Sequence, residues 1–217
     1  MPYRRLPNTD QARVRALKAA VEKGDVYNVR DLAISLKTLF EARNFLQRFE
    51  AAQIYYTQCY ENQSRASRKH QANVKTARLY ISHFIQVLNL PDANVVSDLL
   101  SEASLVEWGK KIIEGEQRRT GQGGIPIYNP TIARVKVHYD IFLDSYERQK
   151  NYQALTNRSL DELSSMRERA DELILDIWNQ VEAKYQDVTP NEDRLDKCRD
   201  YGLIYYYRSS EKVKEEN

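Results

Sequence analysis

LKTLFEARNFLQRFEAAQIYYTQCYENQSRASRKHQANVKTARLYISHFIQVL, residues 36 to 88, decides the fold of this chain. One set of side chains recurs in it at spacings of three and four, the period of one face of an α-helix. Neither Gly nor Pro interrupts the chain between Asp25 and Leu90, and Pro91 ends the pattern. We therefore predict a long helical segment over residues 35–89. Its stripe consists of Leu39, Ala42, Phe45, Leu46, Phe49, Ala52, Tyr56, Cys59, Gln63, Ala66, His70, Val74, Ala77, Ile81, Phe84 and Leu88.

The same pattern occurs a second time, over residues 130–187. Pro130 is typical of the first turn of a helix, and neither Gly nor Pro follows until Pro190. We therefore expect an all-α fold, an antiparallel, coiled-coil-like helical bundle built from two long segments. The second stripe runs through Val135, Tyr139, Phe142, Tyr146, Gln149, Gln153, Asn157, Leu160, Leu163, Arg167, Ala170, Ile174, Ile177 and Val181.

Each stripe is polar in its middle, at residues 63–70 and 149–157, and this leaves two interpretations. Each segment is either one continuous helix or a hairpin of two helices, and two hairpins would form a compact four-helix bundle. Ser159 and Glu162 have the spacing of a capping box, which favours a restart of the second segment. The absence of Gly and Pro and the unbroken phase favour continuous helices.

The remaining segments complete a predicted single domain over residues 1–217. Two runs have β-like composition, residues 123–128 and 201–208, and each is expected to supply one strand of a small two-stranded β-ribbon at one end. The other predicted parts are a short helix over 9–23 that Gly24 ends, a loop-rich region over 91–128 with short helices at 95–100 and 105–116, a C-terminal segment over 190–208 and a disordered tail over 209–217.

Composition indicates a water-soluble protein. Charged residues make up 29% of the 217 residues and hydrophobic ones 41%, and no apolar run approaches the roughly 20 residues that a bilayer requires. The opening residues 1–10 lack the apolar core of a signal peptide. Cys59 and Cys198 are too few for a disulfide framework. We expect a cytoplasmic protein without membrane contact.

The residue types that usually carry catalysis are few and scattered. None of His70, His83 or His138 has a glutamate three residues before it, as a di-iron bundle would require, and the chain has no CxxC or HExxH motif. The glycines of residues 121–124 lack the Lys-Ser/Thr of a phosphate-binding loop. We therefore predict no catalytic, cofactor-binding or metal-binding residues and no cofactor, and we expect a protein that is not an enzyme.

Aromatic residues suggest a surface for a partner. Tyr205, Tyr206 and Tyr207 alternate in direction if they lie on a strand, so at least one is expected to be exposed. Together with Trp108 they form the predicted partner surface. The favoured function is a helical scaffold or adaptor that binds another protein or a second copy of itself as a homodimer.

Charge supports an alternative function. Residues 35–90 hold eight basic and three acidic residues, net +5, whereas residues 129–187 hold eight basic and eleven acidic residues, net −3. Attraction between two helical segments of opposite sign explains this distribution. A basic patch that binds nucleic acid or another polyanion is the alternative, and its residues would be Arg65, Arg68, Lys69, Lys75 and Arg78.

Several segments of the sequence resemble an uncharacterised family of bacterial all-helical proteins. They are MPYRRLPNTD at 1–10, TARLYISHFIQVLN at 76–89, EWGKKIIEGE at 107–116, GGIPIYNPTIA at 123–133, DELILDIWNQVE at 171–182 and CRDYGLIYYYR at 198–208. The resemblance implies one helical unit over nearly the whole chain. It implies no activity, cofactor or binding residue.

Overall fold

A computed structural model describes residues 3–26, 31–88 and 99–207. The predicted all-α fold with a small antiparallel ribbon is confirmed. In chain order the elements are β1 (Tyr3–Arg4), α1 (Asp10–Val26), α2 (Leu36–Val87), α3 (Glu102–Gly121), α4 (Ile132–Ser165), α5 (Arg167–Lys184), α6 (Asn191–Arg199) and β2 (Tyr205–Tyr206).

Helix α2 is continuous through its polar middle, so the hairpin interpretation is wrong for the first long segment. The buried His70 side chain, in the polar middle of the α2 stripe, has polar groups of other helices beside both of its ring nitrogens. Its Nδ1 lies 3.0 Å from Ser145 Oγ of α4, and its Nε2 lies 3.1 Å from Glu102 Oε1 without hydrogen-bond alignment. Because Ser145 Oγ donates its proton to the carbonyl of Phe142, His70 Nδ1 is the donor to Ser145.

The second long segment also passes through its polar middle as a helix, but it is interrupted at Met166, between α4 and α5. The restart that the spacing of Ser159 and Glu162 favours does not occur, because Ser159 lies buried inside α4. The hydroxyls of Ser164 and Ser165 donate to the carbonyls of Asp161 and Glu162. At the break the N–H of Met166 donates to the carbonyl of Leu163, three residues back instead of four, so the helix tightens there without Gly or Pro.

The chain divides into two compact units. Unit 1 comprises Met1–Thr57 and Arg158–Asn217, and unit 2 comprises Gln58–Asn157. Each unit has a hydrophobic core of its own. The assignment of the whole chain to a single domain stays a prediction.

The core of unit 1 lies between α1, the first part of α2, α5 and α6. Its largest fully buried side chains include Trp178, Tyr201 and Phe49. Here α2 and α5 are antiparallel, because Thr38 Oγ1 donates to Asp176 while Glu41, further along α2, pairs with Arg169.

Helix α1 is longer than the predicted 9–23, because it continues through Gly24 to Val26. A Cβ atom at Gly24 would overlap the side chain of Leu39 on α2. Gly24 therefore allows two helices to approach closely instead of ending one of them.

The ribbon has one expected strand and one unexpected one. Tyr205–Tyr206 pairs with Tyr3–Arg4 near the N-terminus, with Tyr3 opposite Tyr206. The strand predicted at residues 123–128 is wrong: Pro126 has no N–H, and the N–H of Ile127 donates to the Glu116 carboxylate. The C-terminal segment contains the helix α6, which the sequence pattern does not predict. The tail at 209–217 and most of the helix at 95–100 lie outside the described residues.

The core of unit 2 lies between the second part of α2, α3 and α4. Its fully buried side chains include Phe84, Ile81, Phe142 and Leu105. Within this unit α2 and α4 are antiparallel, because His70 faces Ser145 while the Tyr80 ring stacks on His138 at 4.1 Å.

An ion pair between buried Glu116 and half-buried Arg119 fixes the loop after α3. The Glu116 carboxylate is 3% exposed and accepts hydrogen bonds from Arg119 Nε and Nη2, both at 2.8 Å, and from the N–H of Ile127 at 3.4 Å. The Arg119 bonds lower the pKa of Glu116 below its usual range, against the opposing effect of burial. Ionised Glu116 therefore stabilises the folded state of unit 2.

Replacing Glu116 by Gln should lower the free energy of unfolding by about 1–2 kcal/mol near pH 7, because one charge-assisted pair is lost while half-buried Arg119 keeps partial hydration and its hydrogen bond to the carbonyl of Ile125. Because the pKa of Glu116 is lower in the folded state than in the unfolded state, the stabilisation is complete when the pH is above the unfolded-state pKa of about 4.3. It is lost as the pH falls through the folded-state pKa. Urea unfolding of the wild-type and Glu116→Gln proteins from about pH 7 to pH 3 should show that the difference between their free energies of unfolding becomes smaller. Exposed Glu114→Gln on the same helix is the control. A difference independent of pH would contradict the assignment.

Candidate protein-binding groove

A groove opens on unit 1 between α2 and the α4–α5 interruption. Its volume is about 610 Å³. We name it the Phe40 groove; it is lined by Lys37, Phe40, Glu41, Asn44, Phe45, Arg48, Ser165, Met166, Arg169 and Leu173.

The floor of the groove is apolar and belongs to the core of unit 1. Phe45 and Leu173 are buried, with 9% and 3% of their surface exposed, and Met166 packs partly against the same core. Phe40 on the rim is 66% exposed. A large apolar side chain left in water beside an apolar floor marks a surface that gains free energy when it is covered.

Phe40 is exposed because it lies outside the apolar stripe of α2. Leu39 and Ala42 point into the core, and Phe40 follows Leu36 by one turn on another face. Leu36 is also exposed, at 55%. The first turns of α2 therefore present a second, smaller apolar face in addition to the core-facing stripe.

The charge along the groove is predominantly positive. Three cationic side chains, Lys37, Arg48 and Arg169, line it together with one carboxylate, Glu41. Arg169 is neutralised, since it pairs with Glu172 and Glu41, and the hydrogen bonds to these two carboxylates raise its pKa. Within residues 3–26, 31–88 and 99–207, Lys37 and Arg48 form no ion pair, and both are exposed.

The residues of the predicted partner surface are divided between the two units. Tyr206 is exposed, as expected for one of the three tyrosines, and its ring lies 6.1 Å from that of Tyr3. Tyr205 packs against the core of unit 1 and its hydroxyl donates to Glu182 at 2.8 Å; burial, followed by its hydrogen bonds, raises its pKa. Tyr207 is half-buried.

Trp108 belongs to the other unit. It is half-buried against the core of unit 2, and the Lys111 ammonium lies 5.2 Å from its ring centre. A partner surface that includes all four predicted aromatic residues is therefore not supported within either unit, although the role of each residue stays a prediction.

All five residues of the predicted basic patch lie in unit 2, and four of them are exposed. Arg65, Arg68, Lys69 and Lys75 are exposed, whereas Arg78 is half-buried and donates to the carbonyls of Leu99 and Leu100, both at 2.9 Å. Arg78 thus has a structural role that the sequence pattern did not indicate.

Acidic side chains of α4 lie beside Lys69 of this patch. Lys69 lines a groove of about 480 Å³ with Asp140, Asp144 and Arg148 of α4. Two carboxylates in the same groove reduce the positive potential that a polyanion would meet. Binding of a polyanion by the exposed basic residues stays a prediction.

The described part of the chain contains no cluster of His, Cys, Asp and Glu side chains able to hold a metal ion, and none of its helices is long and apolar enough to cross a bilayer. In comparisons with known proteins, no family model, curated protein or solved structure matches this chain.

Proposed function

We propose that the protein is a non-catalytic, cytoplasmic helical adaptor that binds another protein through the Phe40 groove. The observation that carries the proposal is the 66% exposure of Phe40 beside the buried Phe45 and Leu173. Covering an exposed Phe side chain contributes up to about 1.5–3 kcal/mol, and aromatic anchors dominate protein interfaces.

Two further features support the proposal. Met166 at the helix interruption supplies a flexible, polarisable side chain, of the kind that adapts to a bound side chain. Cys59 and Cys198 are buried free thiols, a state that a reducing compartment maintains, which supports a cytoplasmic location.

Phe40→Asp should weaken association with the partner at least about tenfold, because it places a charge where an apolar contact forms. Ile54→Asp is the matched control: Ile54 lies on the same helix in unit 1, is 59% exposed and does not line the groove. Wild-type, Phe40→Asp and Ile54→Asp proteins would be used to recover partners from cell extract, with their masses measured by light scattering. Far-UV circular dichroism checks that all three are folded.

We expect the wild-type and Ile54→Asp proteins to retain the same partner and Phe40→Asp to lose it. Equal retention by both variants would move the binding surface away from the groove. A wild-type protein that remains a monomer and recovers no partner would overturn the proposed function itself.

A further inference from the structure

We propose that the occupant of the Phe40 groove is an acidic amphipathic helix of a partner protein. Two carboxylates about three helical turns apart contact Lys37 and Arg48, and apolar anchors between them cover Phe40. This inference rests on the proposed function and specifies its partner by chemistry.

The spacing of the charged groups sets the geometry of the occupant. Lys37 and Arg48 lie eleven residues apart on α2, which corresponds to about 16 Å along the helix axis. Phe40 lies between them, and the apolar floor runs beside it. In a partner helix aligned with α2, two acidic residues eleven positions apart, j and j+11, would match both cations. Apolar anchors at j+4 and at j+7 or j+8 would lie on the same face of that helix.

The positive charges of the groove favour an occupant with negatively charged side chains. Neighbouring cations already have carboxylate partners: Arg43 pairs with Asp25, and Arg169 pairs with Glu41 and Glu172. Lys37 and Arg48 are the groove cations left without one in the described ranges. A partner with carboxylates at these ends is attracted, and one with cations is repelled.

The groove walls favour a helix over an extended segment. Both walls are helical, and neither β1 nor β2 contributes a residue to the lining. An extended peptide would therefore find no strand edge with which to form main-chain hydrogen bonds. A helix forms its backbone hydrogen bonds internally and binds through its side chains alone. A groove between helices can accept such side chains.

Three labelled synthetic peptides test the inference on the full chain. All carry the same leucine anchors on a helix-forming background, and they differ at the two positions eleven residues apart, which are Glu, Gln or Lys. Fluorescence anisotropy at about 0.15 M salt should show the Glu peptide binding roughly fivefold to tenfold tighter than the Gln peptide, and the Lys peptide weakest. Phe40→Asp should weaken binding of the Glu peptide at least tenfold.

Charge reversal makes the test specific. In the K37E/R48E protein the order should invert, with the Lys peptide now tightest. R65E/R68E makes the same change in net charge on exposed residues that do not line the Phe40 groove, and it should keep the wild-type order.

Other outcomes would overturn the inference. Equal or tighter binding of the Gln or Lys peptide, an order unchanged by K37E/R48E, or a dimer of the chain that disappears with Phe40→Asp would each assign the groove to a different occupant. So would displacement of the Glu peptide by single-stranded RNA from both the wild-type and the R65E/R68E proteins, because Arg65 and Arg68 do not line the groove. If no peptide binds while a recovered partner is still lost with Phe40→Asp, this inference fails and the proposed function survives. If the chain also recovers no partner and stays monomeric, both fail.

Discussion

Trp178→Ala should lower the free energy of unfolding of unit 1 by about 3–5 kcal/mol, the usual cost of truncating a fully buried tryptophan. Trp178 is 1% exposed on α5 and belongs to the core of unit 1 with Phe49 and Ile177. The deletion removes apolar contacts and leaves a cavity that surrounding helices fill only in part. Chemical denaturation followed by far-UV circular dichroism measures the loss.

The second tryptophan supplies the control. Trp108 is half-buried at the edge of the core of unit 2, so Trp108→Ala should cost less, about 1–2 kcal/mol. A loss below about 1 kcal/mol for Trp178→Ala would contradict the assignment of Trp178 to the centre of a packed core.

The Trp178→Ala protein also tests the predicted single domain. Its only remaining tryptophan, Trp108, reports on unit 2, whereas circular dichroism reports on all helices. A single cooperative domain requires the two probes to give one coincident transition with a lowered midpoint. A Trp108 transition that stays at the wild-type midpoint while the dichroism transition shifts would show that the units unfold separately.

Periodicity predicted the long helices because burial on one face leaves a strong, repeated signal. Phe45, Phe49, Ile81 and Phe84 were all on the predicted stripe of α2, and all are buried. The polar middle was ambiguous because its stability depends on partners such as Ser145 for His70, and a single helix face does not reveal which partner the fold will supply.

Two features that the sequence pattern does not predict, the helix interruption and the strand near the N-terminus, have local physical causes. The interruption at Met166 follows two serines whose hydroxyls bond to carbonyls three residues back, but Ser145 makes the same bond inside uninterrupted α4, so serine does not predict a break. The partner strand of Tyr205–Tyr206 is only two residues long, too short for an alternating pattern to be recognised. Both features depend on contacts that composition and spacing do not specify.

The core-facing stripe of α2 does not predict the Phe40 groove, because Phe40 lies on another face of the helix. A signal was present: Leu36 and Phe40 form an apolar pair one turn apart, off the stripe and next to Lys37. The sequence alone does not show that Arg169 is neutralised while Lys37 and Arg48 form no ion pair with the other described residues, because ion pairs between distant segments depend on the fold.

The approach of α3 to α4 in unit 2 depends on the absence of a side chain at Gly109. A Cβ atom there would overlap the ring of Tyr139, on the side of Cδ2 and Cε2. The ring has little room to move, because Tyr139 is 6% exposed and its hydroxyl donates to the carbonyl of Val106 at 2.7 Å. Burial also raises the pKa of Tyr139, as expected for a phenol held away from water.

Gly109→Ala should therefore destabilise unit 2 by about 1–3 kcal/mol, since the cost of overpacking exceeds the gain of up to about 1 kcal/mol in helix propensity. Gly115→Ala is the matched control on the same helix, because nothing lies within 4 Å of its added Cβ, and it should stabilise by about 0.5–1 kcal/mol. Urea unfolding of the two variants should thus show changes of opposite sign.

A double variant separates overpacking from other causes. Tyr139→Leu alone should destabilise, because it removes a buried ring and the hydrogen bond to Val106. If the overlap with the ring is the reason for the cost, adding Gly109→Ala to Tyr139→Leu should cost much less than adding it to the wild-type protein. The same cost in both backgrounds, or a Gly109→Ala protein as stable as Gly115→Ala, would mean that α3 and α4 do not need a glycine at their contact.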